Sequence, residues 1–442
     1  MQSENNLQHI VRFMLGAFLL TALALVFWTV IRADAILARP DNPRAVDAVL
    51  EIERGAILDR TGIVLAETNG PTSDQRRYYP YPAIGPAVGY YSFRHGTDGV
   101  ESSFDALLRG DSEDFWQTFM RQALHEPQTG QSIQLTLDAG SQLQAEKLMA
   151  DHKGALVLFQ ETGEASDIVA LVSHPGYDPN QLRESFPELV ADEEAPLLNR
   201  VTKGQYQPGL VLQPFILAHA VEDGLLQLDA PVAHPNRPIL VNSSATYCAN
   251  PAPESASWQD TLHHRCPGPM LDLVETLSLT DFDNAFARFN LTAQPTLSLS
   301  TETVTYLPLA EAAQAAIGQD NLIVTPLQVA NAWLALNQNG RFPTLRLVSH
   351  IENELGDWVP LPSETNGGET AVSPQTAAAI LQALPQTDDI REFSTLVISG
   401  PEGTTNTWYL GAAPGGETVV IVLEDTADLA LAEEMGRALL NR

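Results

Sequence analysis

The sequence predicts an α+β fold built around one antiparallel sheet, and three observations support this class. Strand-like segments with alternating apolar residues lie at both ends of residues 131–442. Mostly helical segments fill the middle of that region. A shorter α+β unit is expected at residues 45–130, where a hairpin pattern precedes a short amphipathic helix. Because strands from both ends must pair around the helical middle, we expect one sheet flanked by helices.

The chain begins with an apolar segment that is long enough for a membrane helix. From Phe13 to Ile31 it carries no charge and no proline, and about 20 apolar residues span a bilayer. A cleaved signal peptide is the alternative, but its apolar core is usually about 7 to 15 residues and no A-x-A-like site follows. We therefore expect a cytoplasmic tail at residues 1–12 and a single transmembrane helix at residues 13–31.

The orientation of this helix rests on conflicting signals. One arginine precedes it and three follow within residues 32–44, so the positive-inside rule favours a cytoplasmic bulk, although long domains often translocate regardless. Cys248 and Cys266 stand in a Pro-rich, polar stretch that suits a disulfide in an oxidising compartment. We therefore expect a single-pass protein of the cell membrane with the bulk of the chain extracytoplasmic.

Composition and motifs exclude several function classes. The formal net charge of -31 repels phosphate backbones, so nucleic acid is not an expected partner. A zinc site that joins the cysteines to His263 and His264 is conceivable, but the spacing matches no common zinc motif. Phosphate-binding loops and dinucleotide fingerprints do not occur in the sequence, so neither a cofactor nor a metal is expected.

The elements follow in chain order. Residues 53–68 predict a hairpin, because apolar runs flank the turn-forming Asp59 and Gly62. A strand that ends at Asp138 is followed by a helix that this aspartate can cap. Residues 154–175 predict a second hairpin. The C-terminus predicts three strands in "STLVISG", "NTWYLGAAP" and "ETVVIVLED", then a closing amphipathic helix.

A buried helix is predicted within "AIGQDNLIVTPLQVANAWLALNQNG" (residues 316–340). Thr325 can cap it, Pro326 suits the first helical position, and the apolar residues lie nearly all round. Asn339 and Gly340 end it.

Together these segments resemble the class B penicillin-binding proteins, which are peptidoglycan D,D-transpeptidases. The segment at residues 316–340 is similar to the family pattern G-Q-x-x-x-x-V-T-P-L-Q-x-A. "RGAILDRTGIVLA" and "GVESSFDALLRG" resemble the family's pedestal, and "TLDAGSQLQAEKLM" resembles the opening of its catalytic domain. The resemblance implies a dimerisation-like pedestal domain at residues 45–130 and a transpeptidase-like domain at residues 131–442.

The family's three catalytic motifs are missing. Its S-x-x-K motif supplies the serine nucleophile and the lysine base for acyl transfer, and it falls on "YQPGLVLQP". There Leu210 replaces the serine and Gln213 the lysine. The resemblance places S-x-N on "SLTDFDNAF", with Asp281 and Asp283 at its ends, and K-T-G on "PEGTT". The last site holds Pro401, Glu402, Gly403 and Thr404.

These replacements predict a catalytically inactive homologue in the cell-wall synthesis machinery that acts as a membrane-anchored scaffold or regulator. In the family, the pedestal and the span contact a SEDS-type membrane glycosyltransferase, so such a protein or another cell-wall or division protein is the implied partner. The predicted cleft is acidic, with Glu402, Asp281 and Asp283, and no Lys or Arg lies between positions 392 and 436. We therefore expect weak binding of anionic substrates.

Two alternatives remain at this point. One is an atypical, serine-independent peptidoglycan transpeptidase or hydrolase that uses Asp281, Asp283 or Glu402 as an acid. The other is an extracytoplasmic sensor whose cleft binds a cationic or neutral ligand. His219 and the pair Ser173 and His174 are expected to be structural, since lone histidines beside apolar runs mostly pack.

Overall fold

The structure is a computed structural model of the chain. It describes residues 2–28, 32, 52–71, 75–111, 124, 128–163, 165–302, 306–353, 355–361, 367–399 and 403–441. Among our sequence expectations, Pro401 and Glu402, the end of the apolar segment at residues 29–31, and the start of the pedestal at residue 45 lie outside the described residues.

The helices and strands are bounded as follows. The α-helices are α1 (Gln2–Val26), α2 (Gly85–Val88), α3 (Gly99–Ser103), α4 (Asp105–Arg109), α5 (Ala139–Met149), α6 (Leu182–Ala191), α7 (Arg200–Lys203), α8 (Gln213–Glu222), α9 (Trp258–His264), α10 (Leu279–Arg288), α11 (Ala312–Ala316), α12 (Pro326–Asn337), α13 (Pro374–Ala383) and α14 (Leu429–Leu440). The strands are β1 (Ile57–Leu58), β2 (Val64–Asn69), β3 (Arg76–Tyr78), β4 (Gly89–Ser92), β5 (Gly96–Asp98), β6 (Ile133–Leu135), β7 (Gly154–Thr162), β8 (Ala165–His174), β9 (Ile239–Val241), β10 (Ser244–Thr246), β11 (Thr344–Arg346), β12 (Val348–Glu352), β13 (Trp358–Pro360), β14 (Gln386–Thr387), β15 (Ile390–Ser399), β16 (Thr404–Ala412) and β17 (Glu417–Leu423). Short 3-10 turns cover Pro82–Ile84, Gly209–Leu212 and Gly268–Glu275.

A seven-stranded sheet forms the centre of the larger region, in the order β11-β8-β7-β17-β16-β15-β14. All neighbours pair antiparallel except β11 and β8, which are parallel. The predicted hairpin of β7 and β8 and the three predicted C-terminal strands are confirmed. The mixed α+β class is confirmed as well, since helices lie on both faces of this sheet.

Alternation along the strands divides the core into two layers. On one face Leu156 and Leu158 pack in a cluster with residues of α5 and α14. On the other face Val157 and Phe159 belong to the large cluster that includes α8 and α12. Helix α12 is buried nearly all round, and the predicted cap is present: Thr325 and Gln328 form a capping box, with Pro326 in the first turn. The start of α8 and strand β15 pack against each other in the large cluster.

A second sheet of six strands, in the order β13-β12-β6-β1-β2-β3, forms the smaller region. The predicted hairpin of β1 and β2 is present. The pairing crosses the expected domain boundary between residues 130 and 131, because β6 and the later strands β12 and β13 belong to this sheet. The pairing of β12 with β6 therefore joins a late segment of the chain to the smaller sheet.

The N-terminal helix is α1. Its apolar side chains are exposed, among them Phe13 at 78% and Phe18 at 75%. Within the residues that the structure describes, no helix meets the combined length and apolarity of a membrane crossing.

Candidate functional site

The start of α8 carries the position where the family places its nucleophile. The chain reaches it through Tyr206, whose backbone N–H and C=O both pair with Val324, at 2.9 and 3.0 Å. The backbone N–H of Gly209 then donates to the carbonyl of Gly318 at 3.0 Å. These bonds tie the approach to α8 to the segment that precedes α12.

Glycine is required at two points of this approach. Gly209 has φ +54°, and a Cβ there would lie 2.7 Å from Val397 of β15. Gly318 has φ +64°, and its Cβ would lie 2.1 Å from the carbonyl oxygen of Gly209. Both conformations and both close approaches favour residues without a side chain. Strand β15 therefore lies directly against the start of α8.

Leu210 and Gln213 are packing residues in this position. Leu210 is 5% exposed and belongs to the large core cluster. Gln213 is 1% exposed, and its Nε2 donates to the carbonyl oxygens of Cys266 at 3.3 Å and Thr261 at 3.4 Å. Among the described residues its Oε1 has no hydrogen-bond partner. An aliphatic side chain and an amide provide neither a nucleophile nor a base for acyl transfer.

The expected second motif, with Asp281 and Asp283 at its ends, lies on α10. Asp281 forms a capping box with Ser278 at the start of α10, and hydrogen bonds from Ser278 lower the pKa of this carboxyl. Asp283 accepts a hydrogen bond from Tyr306, whose phenol pKa is raised by burial and by this carboxylate. The backbone beside Gln213 belongs instead to Thr261 and Cys266. The placement of the second motif at Asp281 and Asp283 stays a prediction.

The described residues of the expected third motif follow the end of β15. Gly403 and Thr404 lie where the chain turns from β15 into β16, since Thr404 pairs with Ser399 at the end of the strands. The residue of β15 that faces Gly209 is Val397, several positions earlier. Nevertheless, β15 carries no lysine in either register, because its only basic residue is Arg391.

A cation that the sequence reading missed lies next to β15. Arg265 follows α9 in a left-handed conformation and is 9% exposed. Its Nη1 donates to Ser394 Oγ on β15 at 2.6 Å and pairs with Glu433 Oε1 on α14 at 2.9 Å. This arginine lies outside the window between positions 392 and 436, and its contacts are on the α14 side of β15. The acidic cleft stays a prediction. The sequence singled out the adjacent Cys266, as a candidate for a disulfide.

The structure joins Cys248 and Cys266 in a disulfide. Cys266 is fully buried and packs with Ala252 and Ala256. Among the described residues, no group of histidine, cysteine and acidic side chains is arranged to hold a metal ion. The loop that carries Arg265 is therefore held by a covalent link to the segment after β10.

The remaining histidine candidates have structural partners. Ser173 Oγ donates to the carbonyl of Leu198 at 2.8 Å, and His174 Nε2 lies 2.7 Å from a carboxylate oxygen of Glu146. His219 is fully buried on α8, and its burial lowers the pKa of the imidazole. None of these contacts joins a histidine to Leu210 or Gln213.

The smaller region contains a buried ion cluster that we call the pedestal cluster, formed by Arg54, Arg77 and Glu101. Glu101 is fully buried; its carboxylate lies 2.8 Å from Arg54 Nη2 and 2.5 Å from Arg77 Nε. Tyr79 donates to the same carboxylate at 3.1 Å. Burial opposes the charge on Glu101, but the two arginines outweigh it and lower the pKa of this carboxyl. Every oxygen of the carboxylate thus has a partner.

Comparison with known proteins identifies the fold. Residues 154–430 match the penicillin-binding protein transpeptidase domain. The chain belongs to this family. Residues 54–133 match the penicillin-binding protein A dimerisation domain. The recognition made from sequence motifs is confirmed, and the pedestal cluster lies in the dimerisation domain.

Similar proteins span almost the whole chain. The peptidoglycan D,D-transpeptidase PbpA of Mycolicibacterium smegmatis is 27% identical over 92% of both chains. PbpA of Mycobacterium tuberculosis is 26% identical over 93% of both. Among solved structures, penicillin-binding protein A from M. tuberculosis, as an imipenem acyl-enzyme complex, superposes with a TM-score of 0.76. It is 22% identical and covers 89% of this chain and 98% of that one. The chain is therefore a penicillin-binding-protein homologue from the D,D-transpeptidase family of peptidoglycan synthesis.

Proposed function

We propose that this protein is a catalytically inactive member of its family that serves peptidoglycan synthesis as a membrane-anchored scaffold or regulator. The observation that carries the proposal is the packing of Leu210 and Gln213. Acyl transfer requires a nucleophile whose proton a neighbouring base can accept. Here a buried leucine and a buried amide that is held by two backbone carbonyls stand at those positions.

A peptide that ends in D-alanyl-D-alanine tests the loss of turnover. The purified full chain should release no D-alanine above the buffer background, because no group is available to form the acyl-enzyme. PbpA of M. smegmatis, assayed in parallel, controls for substrate quality. Release of D-alanine above the background would show that another group acts as nucleophile, and the proposal would fail.

In this scaffold role, the dimerisation domain carries the surface that binds the partner protein. In the pedestal cluster both carboxylate oxygens of the buried Glu101 are engaged, which supports a rigid domain kept for its shape rather than for chemistry. A SEDS-type membrane glycosyltransferase, or another cell-wall or division protein, is the proposed partner. Affinity capture from cross-linked membranes should recover it with the full chain. A chain without residues 45–130 should not, and equal recovery would contradict the scaffold role.

We further propose the sequence-based division of the chain: a tail at residues 1–12, a single membrane anchor at residues 13–31, and two extracytoplasmic domains. The apolar side chains exposed along α1 support the anchor. The disulfide supports an oxidising compartment. Alkaline phosphatase fused after Arg442 should be active in cells, whereas a fusion after His9 should be inactive. The reverse pattern would place the bulk of the chain in the cytoplasm.

A further inference from the structure

A cavity of about 300 Å³ lies beside β15, away from the start of α8. It is lined by β15, by the segment at residues 244–249, by Arg265, by Thr405 of β16, and by Ala427 and Leu429 at the beginning of α14. Ser394, one of the lining residues, donates its hydroxyl to Glu433 of α14 at 2.7 Å and so lies on the α14 face of the sheet. Val397, which touches Gly209, lies on the opposite face because side chains alternate along a strand. The strand therefore separates this cavity from Leu210.

The charged group in the wall of the cavity is Arg265. Its side chain is nine-tenths buried, and its hydrogen bonds to Ser394 and Glu433 are both made by Nη1. Nε is buried and has no partner among the described residues. A buried donor that lacks an acceptor is unfavourable, so the free edge of this guanidinium favours a ligand that brings one.

The acids near Arg265 are shared with a second arginine. Glu433 is shared, because it also pairs with Arg437 at 3.0 Å, and Arg437 pairs in turn with Glu392 at 2.6 Å. Glu433 of α14 and Glu392 of β15 therefore both pair with Arg437. The Nε edge of a guanidinium presents two N–H groups in one plane, which matches the two oxygens of a carboxylate.

The rest of the wall is suited to a compact apolar group. Leu396, Ile398 and Leu429 contribute aliphatic surface, and Tyr247 lies at the opening with 65% of its surface exposed. The disulfide holds this wall in place, because Cys248 lines the cavity and Cys266 follows Arg265 directly. The volume is at the small end of the range for ligand sites.

We propose that this cavity binds a small organic monocarboxylate, with its carboxylate on the Nε edge of Arg265 and an apolar body against Leu396 and Leu429. This goes beyond the scaffold role and does not depend on it, since the cavity and Leu210 lie on opposite faces of β15. A chain that proved catalytically active would still carry this site.

Phenylacetate tests the proposal, with the neutral phenylacetamide as its matched control. Isothermal titration of the purified full chain should show one site for phenylacetate. Phenylacetamide should bind at least about tenfold more weakly, because it lacks the charge that strengthens bonds to a guanidinium. Absence of phenylacetate binding at millimolar concentrations, or equal affinity for the two compounds, would overturn the proposal.

Variants locate the site. Arg265→Lys keeps the charge but removes the planar fork, and Arg265→Gln removes both, so each should weaken phenylacetate binding at least about tenfold. Arg346→Gln is the control, since Arg346 pairs with Asp167 at 2.6 Å and does not line the cavity. Unchanged affinity in both Arg265 variants would overturn the assignment.

A third variant tests the cavity while it keeps the arginine. Ala427 lines the cavity and is exposed, so Ala427→Phe should fill it with little effect on folding. It should abolish phenylacetate binding while the melting temperature stays unchanged. In the unsubstituted chain, the side-chain N–H resonance of Arg265 Nε should move on titration with phenylacetate. Binding that survives Ala427→Phe, or an Nε resonance that does not move, would place the ligand elsewhere.

Discussion

The pedestal cluster and the start of α8 differ in the kind of side chain that they bury. In the pedestal cluster, Glu101 is fully buried as a charge and is held by two arginines and a tyrosine. At the start of α8, where the family places a serine and a lysine, the chain has a leucine and an uncharged amide. A buried charge persists only where its partners persist. The dimerisation domain therefore buries a charge together with its partners, whereas Leu210 and Gln213 bury no charge at the start of α8.

The largest effect should come from Glu101→Ala. Removal of this carboxylate leaves two buried arginines without their shared partner, which costs about 3–5 kcal/mol of unfolding free energy. Chemical denaturation of the full chain measures it. Asp105→Ala is the matched control, because Asp105 also pairs with Arg54 at 2.6 Å but is 32% exposed. It should cost under about 1 kcal/mol, and equal losses would show that burial does not decide the strength of the cluster.

Leu210→Ala should come next. The side chain is 95% buried (5% exposed) in the large core cluster, so truncation should cost about 2–5 kcal/mol through lost contacts and a cavity. Leu240→Ala serves as the control, because Leu240 is 72% exposed and its loss should change stability by under about 0.5 kcal/mol. A Leu210 variant as stable as the parent would mean that this position is not part of the packed core.

Acid should weaken the pedestal cluster. The pKa of Glu101 is lower in the folded chain than in the unfolded chain, so its ionised form stabilises the fold above its ordinary pKa. That contribution is lost as the pH falls through the lowered pKa. Denaturation from neutral to acidic pH should show this loss in the parent chain and a shallower dependence in Glu101→Gln. Parallel curves for the two chains would contradict the lowered pKa.

Gln213→Met should have the smallest effect. The amide makes two long hydrogen bonds, at 3.3 and 3.4 Å, and its one side-chain oxygen is buried without a partner among the described residues. A near-isosteric apolar side chain should therefore change the unfolding free energy by no more than about 1.5 kcal/mol. A loss above about 3 kcal/mol would show that the amide organises the loop at Cys266, and that the site is more than packing.

The sequence predicted elements whose pattern is local. Alternation marked β7, β8 and the C-terminal strands, and Thr325 with Pro326 marked the start of α12, because caps and periodicity are written within a few residues. The return of β12 and β13 to the smaller sheet was not predicted, since strand pairing over such a separation has no local signal. The type of each element was therefore easier to predict from the sequence than the pairing of strands from distant segments.

The candidate site shows the same difference between local and long-range signals. Leu210 and Gln213 were found because they sit inside a contiguous motif with a fixed spacing. Arg265 was missed, because the contact of Gln213 with Thr261 and Cys266 joins distant parts of the chain and leaves no local signal in the sequence. The placement of the second motif at Asp281 and Asp283 stays a prediction. Motif spacing between separate loops carries no such information.

Acylation by a labelled penicillin tests the central claim most directly. PBP A of M. tuberculosis forms a penicillin G acyl-enzyme in its solved structure, and M. smegmatis PbpA provides a parallel positive control. Intact-mass analysis of the full chain after incubation should show only the unmodified mass, because Leu210 and Gln213 offer no acyl acceptor. A covalent adduct of one penicillin per chain, mapped to any residue between Tyr206 and Phe215, would contradict the account.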